Sequence, residues 1–263
     1  MDNVVSAKGF LARAGKFCSG LLDRLDTTGY LIVTDLDFAI DKVADCEKQF
    51  LDFCRHLGEP LPHNHDPDTL LWDIKVTDGN SELATFSEVP SVAALHTDNS
   101  FSANPDDIFC LMSLKVAECG GGESTLLHVQ SILKALRNAP GGEKAEMTLR
   151  TKPYPFAVPS IFCKEGNDAF EYNTGLILYD DCIRYREDVI EAALNHYPEL
   201  IDDEQREALD LLNKVVKIAD GLETTLVKPD SMIIIDNKRT LHGRSAFTDK
   251  NRHLLRVRLR DVR

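Results

Sequence analysis

Apolar residues recur along this chain of 263 residues in two rhythms. The first is short: β-branched and aromatic runs of four to eight residues bounded by glycine, proline or asparagine, the signature of strands. Gly29-Tyr-Leu-Ile-Val-Thr34, Ile108 to Leu114 and Met232 to Asp236 are the clearest. Ser124 to His128 follows the Gly120-Gly-Gly122 turn, Thr224 to Val227 precedes the Pro229-Asp230 turn, and His253 to Leu259 forms a last strand. Ala157 to Cys163 and Ala169 to Leu178 suit a pair of strands around Gly166-Asn167, a hairpin-type turn. The second rhythm is helical. Ile40 to Leu57 places Val43, Cys46, Phe50 and Phe53 on one face before Pro60 and Pro62 end it. Val129 to Arg137 and Asp202 to Ala219 repeat the pattern, the latter with Leu209, Leu212, Val216 and Ile218 near one stripe.

Many short strands with two or three helices predict a mostly β fold with flanking helices, a double-stranded β-helix or jelly-roll core. There is no repeat, low-complexity tract or linker, so residues 1–263 read as a single domain. Residues 63–90 are polar and irregular, and suit a long loop acting as a lid over an active site.

Composition narrows the partners. A net charge of −13 argues against nucleic acid and against an anionic membrane surface. It leaves small molecules open, because a pocket can be basic inside an acidic protein. Seven cysteines, an odd number with no C-x-x-C, predict free thiols in a reducing compartment, hence a cytoplasmic protein without a disulfide framework or zinc knuckle. The first residues lack the apolar run of a signal peptide, and no apolar stretch is long enough to span a bilayer.

The candidate chemistry begins at His96-Thr97-Asp98. On a strand, residues two apart point to the same side, so this element offers an imidazole and a carboxylate to one point. A second imidazole from a distant segment, such as His242 in Met232-Ile-Ile-Ile-Asp-Asn-Lys-Arg-Thr-Leu-His-Gly-Arg244, would complete a two-His-one-carboxylate facial set of the kind that holds ferrous iron with open positions. The alternatives are a hydrogen-bonded surface histidine at 96 and a core or turn histidine at 242. Arg252 and Arg256 share one face of the last strand. Inside a barrel they would need an anion, and a guanidinium fork suits a carboxylate. On the outside they would pair with some of the many surface acids.

Together these elements resemble the TauD/TfdA family of Fe(II)- and 2-oxoglutarate-dependent dioxygenases, in the clavaminate-synthase-like group. The order is H-T-D, then Gly122-Glu-Ser-Thr-Leu126, then D-N-x-R-x-x-H-G-R, then R-x-x-x-R, and the likeness extends from residue 30 to 259. The resemblance implies that His96, Asp98 and His242 are the iron ligands. It implies that Thr125 binds the 2-oxoglutarate carboxylate, with Ser124 beside it leaving the register open by one. Arg252 would form the salt bridge to the distal carboxylate of 2-oxoglutarate, and Arg256 would hold an anionic group of the prime substrate. Relatives often carry an acid where His128 stands, and His128 is read as the residue that starts a helix or as a surface residue.

The activity so implied consumes 2-oxoglutarate and dioxygen, releases succinate and carbon dioxide, and oxidises an unactivated C–H bond of a small anionic metabolite, an amino acid or a derivative. Hydroxylation is the default outcome. Desaturation, epoxidation and ring closure share the same scaffold, whereas Asp98 disfavours halogenation by filling the position that a halide would take. The segment Phe170-Glu-Tyr-Asn173 and the 63–90 loop are candidates to line the pocket. A catalytically silent binding module and a zinc hydrolase with the same ligands stand as alternatives. The prime substrate and the oligomeric state are not specified by sequence.

Overall fold

The structure is a computed structural model, and it describes residues 3–9, 14–62, 68–76, 89–163 and 170–263. Its strands are β1 (Val4–Ser6), β2 (Tyr30–Thr34), β3 (Glu59–Pro60), β4 (Trp72–Lys75), β5 (Ala93–His96), β6 (Ile108–Lys115), β7 (Ser124–His128), β8 (Tyr154–Ala157), β9 (Tyr172–Gly175), β10 (Leu178–Tyr179), β11 (Cys182–Ile183), β12 (Glu223–Thr225), β13 (Met232–Asp236), β14 (Thr240–Arg244) and β15 (His253–Arg260). Its helices are α1 (Ala14–Thr28), α2 (Val43–Arg55), α3 (Val129–Asn138), α4 (Gly142–Thr151), α5 (Glu187–His196) and α6 (Asp203–Ile218).

Two sheets organise the site. The larger runs β1-β2-β13-β6-β15-β3, with β4 also paired to β15, and the smaller runs β12-β7-β14-β5. They face one another across Tyr30, Phe109, Leu126, Val227, Ile233 and Ile235. Strict alternation sorts the large sheet into two faces. Ile108, Cys110 and Met112 of β6, Met232 and Ile234 of β13, and Leu255, Val257 and Leu259 of β15 bury against α1 and α2. Phe109, Ile233 and Ile235 turn the other way. Each fully buried aliphatic or aromatic side chain contributes roughly 1.5–3 kcal/mol, so a slip of one residue, which would exchange the faces, is strongly disfavoured. The outer face of the small sheet is covered by α3 to α6 through Leu127, Leu241, Ile132, Leu133, Leu209 and Leu212.

Helix and strand are present in comparable amounts, so the expectation of a mostly β chain gives way to a mixed fold. The difference lies in α1, α4 and α5, which the expected elements did not include: α1 buries Cys18, Leu21, Leu22 and Leu25, and α5 buries Val189, Ile190, Ala193 and Leu194, both at helical spacing. The other elements fall close to their predicted places. Asp202 starts α6 with a capping box, its side chain accepting from the Gln205 backbone N–H at 2.8 Å. The exception is the expected strand Ala157–Cys163: β8 ends at Ala157 and Ser160–Phe162 is a 3-10 turn, so the strand paired antiparallel with β9 lies upstream of the predicted one, and the Gly166-Asn167 turn lies outside the described residues. Much of the expected 63–90 lid also lies outside them; within it, Trp72–Lys75 is a strand hydrogen-bonded to β15 rather than loop. Among the described residues no helix is long and apolar enough to cross a membrane.

Candidate active site

Strand pairing brings the distant histidines together. β14 lies antiparallel to β5 with His242 opposite His96, and their ring centroids are 4.4 Å apart. His242 is thus a strand residue, not a turn residue. A bulge follows it, so that Arg244 rather than Ser245 faces Ala93. A Cβ on Gly243 would lie 2.6 Å from the Ala93 carbonyl oxygen and 2.8 Å from Thr125 Oγ1, which accounts for glycine at this contact.

His96, Asp98 and His242 offer three ligand atoms that all lie within 4.8 Å of one another. His96 Nδ1 is 2.7 Å from the Ala94 carbonyl oxygen, so it donates there and turns the Nε2 lone pair inward, 3.6 Å from Asp98 Oδ1. His242 Nε2 is 3.5 Å from Asp98 Oδ2. All three side chains are largely buried, at 8, 8 and 9 % exposure, yet line a cavity of about 70 Å³ together with Ile74, Phe109, Leu111 and Arg256. Burial pulls the His242 imidazole down to about 4, outweighing the raising effect of Asp98. Burial would push the Asp98 carboxyl up, but Arg256 and then His242 outweigh it and hold it well below the usual range. A neutral imidazole and an ionised carboxylate are what a divalent cation needs from its donors, so the donor set fits ferrous iron.

The H-T-D segment is clamped from two sides. The Thr97 backbone N–H donates to the Tyr185 carbonyl at 2.7 Å, and Thr97 Oγ1 accepts from the Tyr185 N–H at 3.0 Å. Asn237 does more. Its Oδ1 accepts from the Asp98 N–H at 2.7 Å, while its Nδ2 donates to the carbonyls of Asp98 at 3.0 Å and Asp106 at 2.8 Å. Asn237 stands in the turn between β13 and β14, five residues before His242, and so ties the two ligand-bearing segments into one unit. The D-N-x-R-x-x-H spacing contains this residue, but sequence reading gave it no task. Asn-backbone bridging across 139 residues leaves no local periodic signal.

The cations occupy the inward face of β15 and its approach. Arg252, Leu254 and Arg256 line the cavity, and Arg258 continues the same face towards Asp106, with Nη1 3.4 Å from its Oδ2. Arg252 is 8 % exposed and has no carboxylate partner among the described residues. Its guanidinium lies 5.1 Å from the centre of the Phe247 ring, which also carries Arg244 at 4.8 Å. Burial and the neighbouring Arg244 pull Arg252 down to about 10. It runs past Gly122, whose φ of +79° suits glycine and where a Cβ would stand 3.3 Å from Arg252 Nε. Arg256 donates through Nη2 to Asp98 Oδ2, and its buried Nε has no partner among the described residues.

Two expected placements change and one holds. Ser124, not Thr125, lines the cavity beside Arg252. Ser124 shares its face with Leu126, which points between the sheets, whereas Thr125 sits on the opposite face with its hydroxyl near Gly243. Of the two neighbouring hydroxyl residues, Ser124 is therefore the one that faces the cavity. Phe170 to Asn173 does not line this cavity: Phe170 stacks on His196 at 4.2 Å, and Asn173 Nδ2 donates to the Phe101 carbonyl at 2.8 Å. His128 does start a helix, as expected, its Nδ1 accepting from the Gln130 N–H at 3.2 Å.

His96 at the end of β5, Asp98 in the turn that follows and His242 on β14, beside a buried arginine with no acid partner among the described residues, define a class, and comparison with known proteins agrees. The profile of the taurine catabolism dioxygenase TauD, TfdA family matches residues 19–258. The chain belongs to the TauD/TfdA family. It is accordingly an Fe(II)- and 2-oxoglutarate-dependent oxygenase that uses dioxygen. No curated protein matches it in sequence. Similar solved structures include an asparagine oxygenase in complex with Fe(II), 2S,3S-3-hydroxyasparagine and succinate, at 18 % identity and a TM-score of 0.74 over 94 % of this chain and 79 % of that one. Another is the non-heme iron oxygenase OrfP in complex with Fe, succinate and (3R,4R)-dihydroxy-L-Arg, at 18 % identity and a TM-score of 0.70 over 96 % and 85 % of the two chains.

Proposed function

We propose that this protein hydroxylates an unactivated C–H bond of a small anionic metabolite, a free amino acid or a close derivative. The observation that carries the reading is Arg252: a guanidinium buried at 8 % exposure, with no acid partner among the described residues, in the cavity that contains His96, Asp98 and His242. A buried cation without a partner is costly, and a dicarboxylate cosubstrate would supply the missing charge.

In this reading His96, Asp98 and His242 hold the iron, and Arg252 and Ser124 grip the distal carboxylate of 2-oxoglutarate. Once bound, iron with 2-oxoglutarate and dioxygen supplies the oxidant that takes hydrogen from carbon and returns hydroxyl. The remaining work belongs to the chain. The Ala94 carbonyl fixes the His96 tautomer, Asn237 fixes the Asp98 backbone, and Arg256 holds Asp98 Oδ2. Phe109, Leu111, Ile74, Ile235 and Leu254 wall the cavity with apolar surface and limit water. Arg256 is the substrate anchor: one nitrogen serves Asp98 while Nε remains as a donor towards an anionic substrate group.

The hydroxylated asparagine and arginine bound to the two similar oxygenases support an amino acid as substrate. The facing sheets are read as the two halves of a double-stranded β-helix, and residues 1–263 as one catalytic domain. The seven cysteines are all free, which supports a cytoplasmic location.

The test is a screen of amino acids and related acids for substrate-stimulated succinate release from 2-oxoglutarate, with mass spectrometry for the gain of one oxygen. The expected result is release that requires Fe(II) and dioxygen and is lost in His242→Ala while the fold survives. Metal binding without any succinate would indicate a silent module. Turnover that persists without oxygen and with zinc would indicate a hydrolase.

A further inference from the structure

We propose that Ser113 is a further donor to the distal carboxylate of 2-oxoglutarate, reaching it from the sheet opposite Ser124. The inference rests on the assignment of Arg252 to that carboxylate.

β6 alternates strictly. Cys110 and Met112 belong to the core under α1 and α2, while Phe109 packs between the sheets and Leu111 against the same cluster. Ser113, the next residue on the inward face, is fully buried at 0 % exposure. Its backbone N–H is satisfied by the Ser231 carbonyl at 3.2 Å. Its hydroxyl has no partner among the described residues. A hydroxyl removed from water and left unpaired is destabilising, and an alanine would pack here without that cost.

The hydroxyl's surroundings specify what would satisfy it. Ser113 lines a small recess with Gly122, Ser124 and Arg252, closed by Val227 and Ala117. The recess shares Leu111, Ser124, Arg252 and Leu254 with the cavity that contains His96, Asp98 and His242, so it is the far end of one continuous site. Donors converge on it from three strands or their approaches: Ser113 from β6, Ser124 from β7 and Arg252 immediately before β15. All the groups offered are donors or can act as donors, and no acid among the described residues lines the recess. A carboxylate accepts through two oxygens with about four lone-pair sites, which is enough for the guanidinium and both hydroxyls at once. Ser113 and Ser124 belong to different sheets, so the bound carboxylate would pin the large sheet to the small one.

The experiment compares wild type with Ser113→Ala. 2-Oxoglutarate binding to the Fe(II)-loaded protein is titrated calorimetrically without oxygen, and thermal melting of the ligand-free protein is measured alongside. The expected result is a dissociation constant raised about tenfold, the loss of one hydrogen bond to a charged acceptor, with a ligand-free Tm equal to or above that of wild type. In turnover, KM for 2-oxoglutarate should rise while kcat at saturation stays near the wild-type value. An unchanged dissociation constant overturns the proposal. So does a lowered ligand-free Tm or a failure to fold, since either would make Ser113 a structural residue. Wild-type protein that binds iron but not 2-oxoglutarate would instead refute the Arg252 assignment on which the inference rests.

Discussion

Asn237 is the most exacting test of how the metal-binding carboxylate is held. Asn237→Ala removes three buried hydrogen bonds, at 2.7, 3.0 and 2.8 Å, and leaves the Asp98 N–H without an acceptor. An orphaned buried donor costs about 1–3 kcal/mol, and the carbonyls of Asp98 and Asp106 add a smaller amount because each keeps other lone-pair capacity. The expected loss in the metal-free protein is about 3 kcal/mol, read by urea denaturation. Because the lost contacts set the backbone of a ligand, Fe(II) affinity should fall about tenfold to a hundredfold, as for other groups that orient metal ligands. Asn237→Asp separates shape from hydrogen bonding. One oxygen of the introduced carboxylate still accepts from Asp98, but the other faces two carbonyl oxygens. That repulsion and burial raise its folded-state pKa above the unfolded value of about 3.9. The folded protein then binds more protons than the unfolded one between those two values. The deficit relative to wild type is therefore full at neutral pH and shrinks as pH falls through the raised pKa. A loss under about 1 kcal/mol in the alanine variant, below the cost of one orphaned buried donor, together with unchanged metal affinity would refute the clamp.

Four further outcomes are expected. Arg252→Lys keeps the charge but loses the fork, so anoxic titration should show 2-oxoglutarate affinity reduced about tenfold to a hundredfold; an unchanged constant removes Arg252 from the site. Gly122→Ala forces a side chain onto a φ of +79° and to 3.3 Å from Arg252 Nε, and should cost about 1–2 kcal/mol in thermal unfolding while weakening 2-oxoglutarate binding. Arg256→Ala should abolish stimulation of succinate release by prime substrate and leave 2-oxoglutarate affinity near wild type; loss of that affinity would reassign the residue to the cosubstrate. Asp202→Ala breaks the capping box of α6, and should lower stability by about 1 kcal/mol with activity unchanged.

What was legible in the sequence depended on whether a signal was local. β7 and β13 are found where their apolar runs lie, and α6 ends within a residue of its predicted limits, because period and capping residues are contiguous in the chain. His96 and Asp98 do converge, as strand alternation predicted, but the strand stops at His96 and the turn after it carries Asp98 inward. His242 joins them through a register that only the assembled sheet displays, with His242 opposite His96 across 146 residues of chain. The motif order carried that information where periodicity could not. Sequence left Ser124 and Thr125 open because two hydroxyl residues stand side by side, and only the direction of Leu126 decides which faces inward. Trp72–Lys75 was hidden in a polar stretch since its partner is β15, nearly two hundred residues away. Asn237 and Ser113 had no signal as functional residues: one works through backbone contacts, the other through a contact it lacks.

The cationic lining of β15 sits inside a protein whose net charge is −13. These two facts act on different length scales. Far from the surface a dianionic cosubstrate meets the overall negative field and is repelled, and only at the mouth of the cavity do Arg244, Arg252 and Arg256 dominate. Added salt shortens the Debye length to about 8 Å at 0.15 M and about 3 Å at 1 M, which suppresses the long-range repulsion first and reaches the buried guanidinium contacts last. Capture of 2-oxoglutarate should therefore quicken with ionic strength while its release changes little, the reverse of enzymes that draw charged ligands in from a distance.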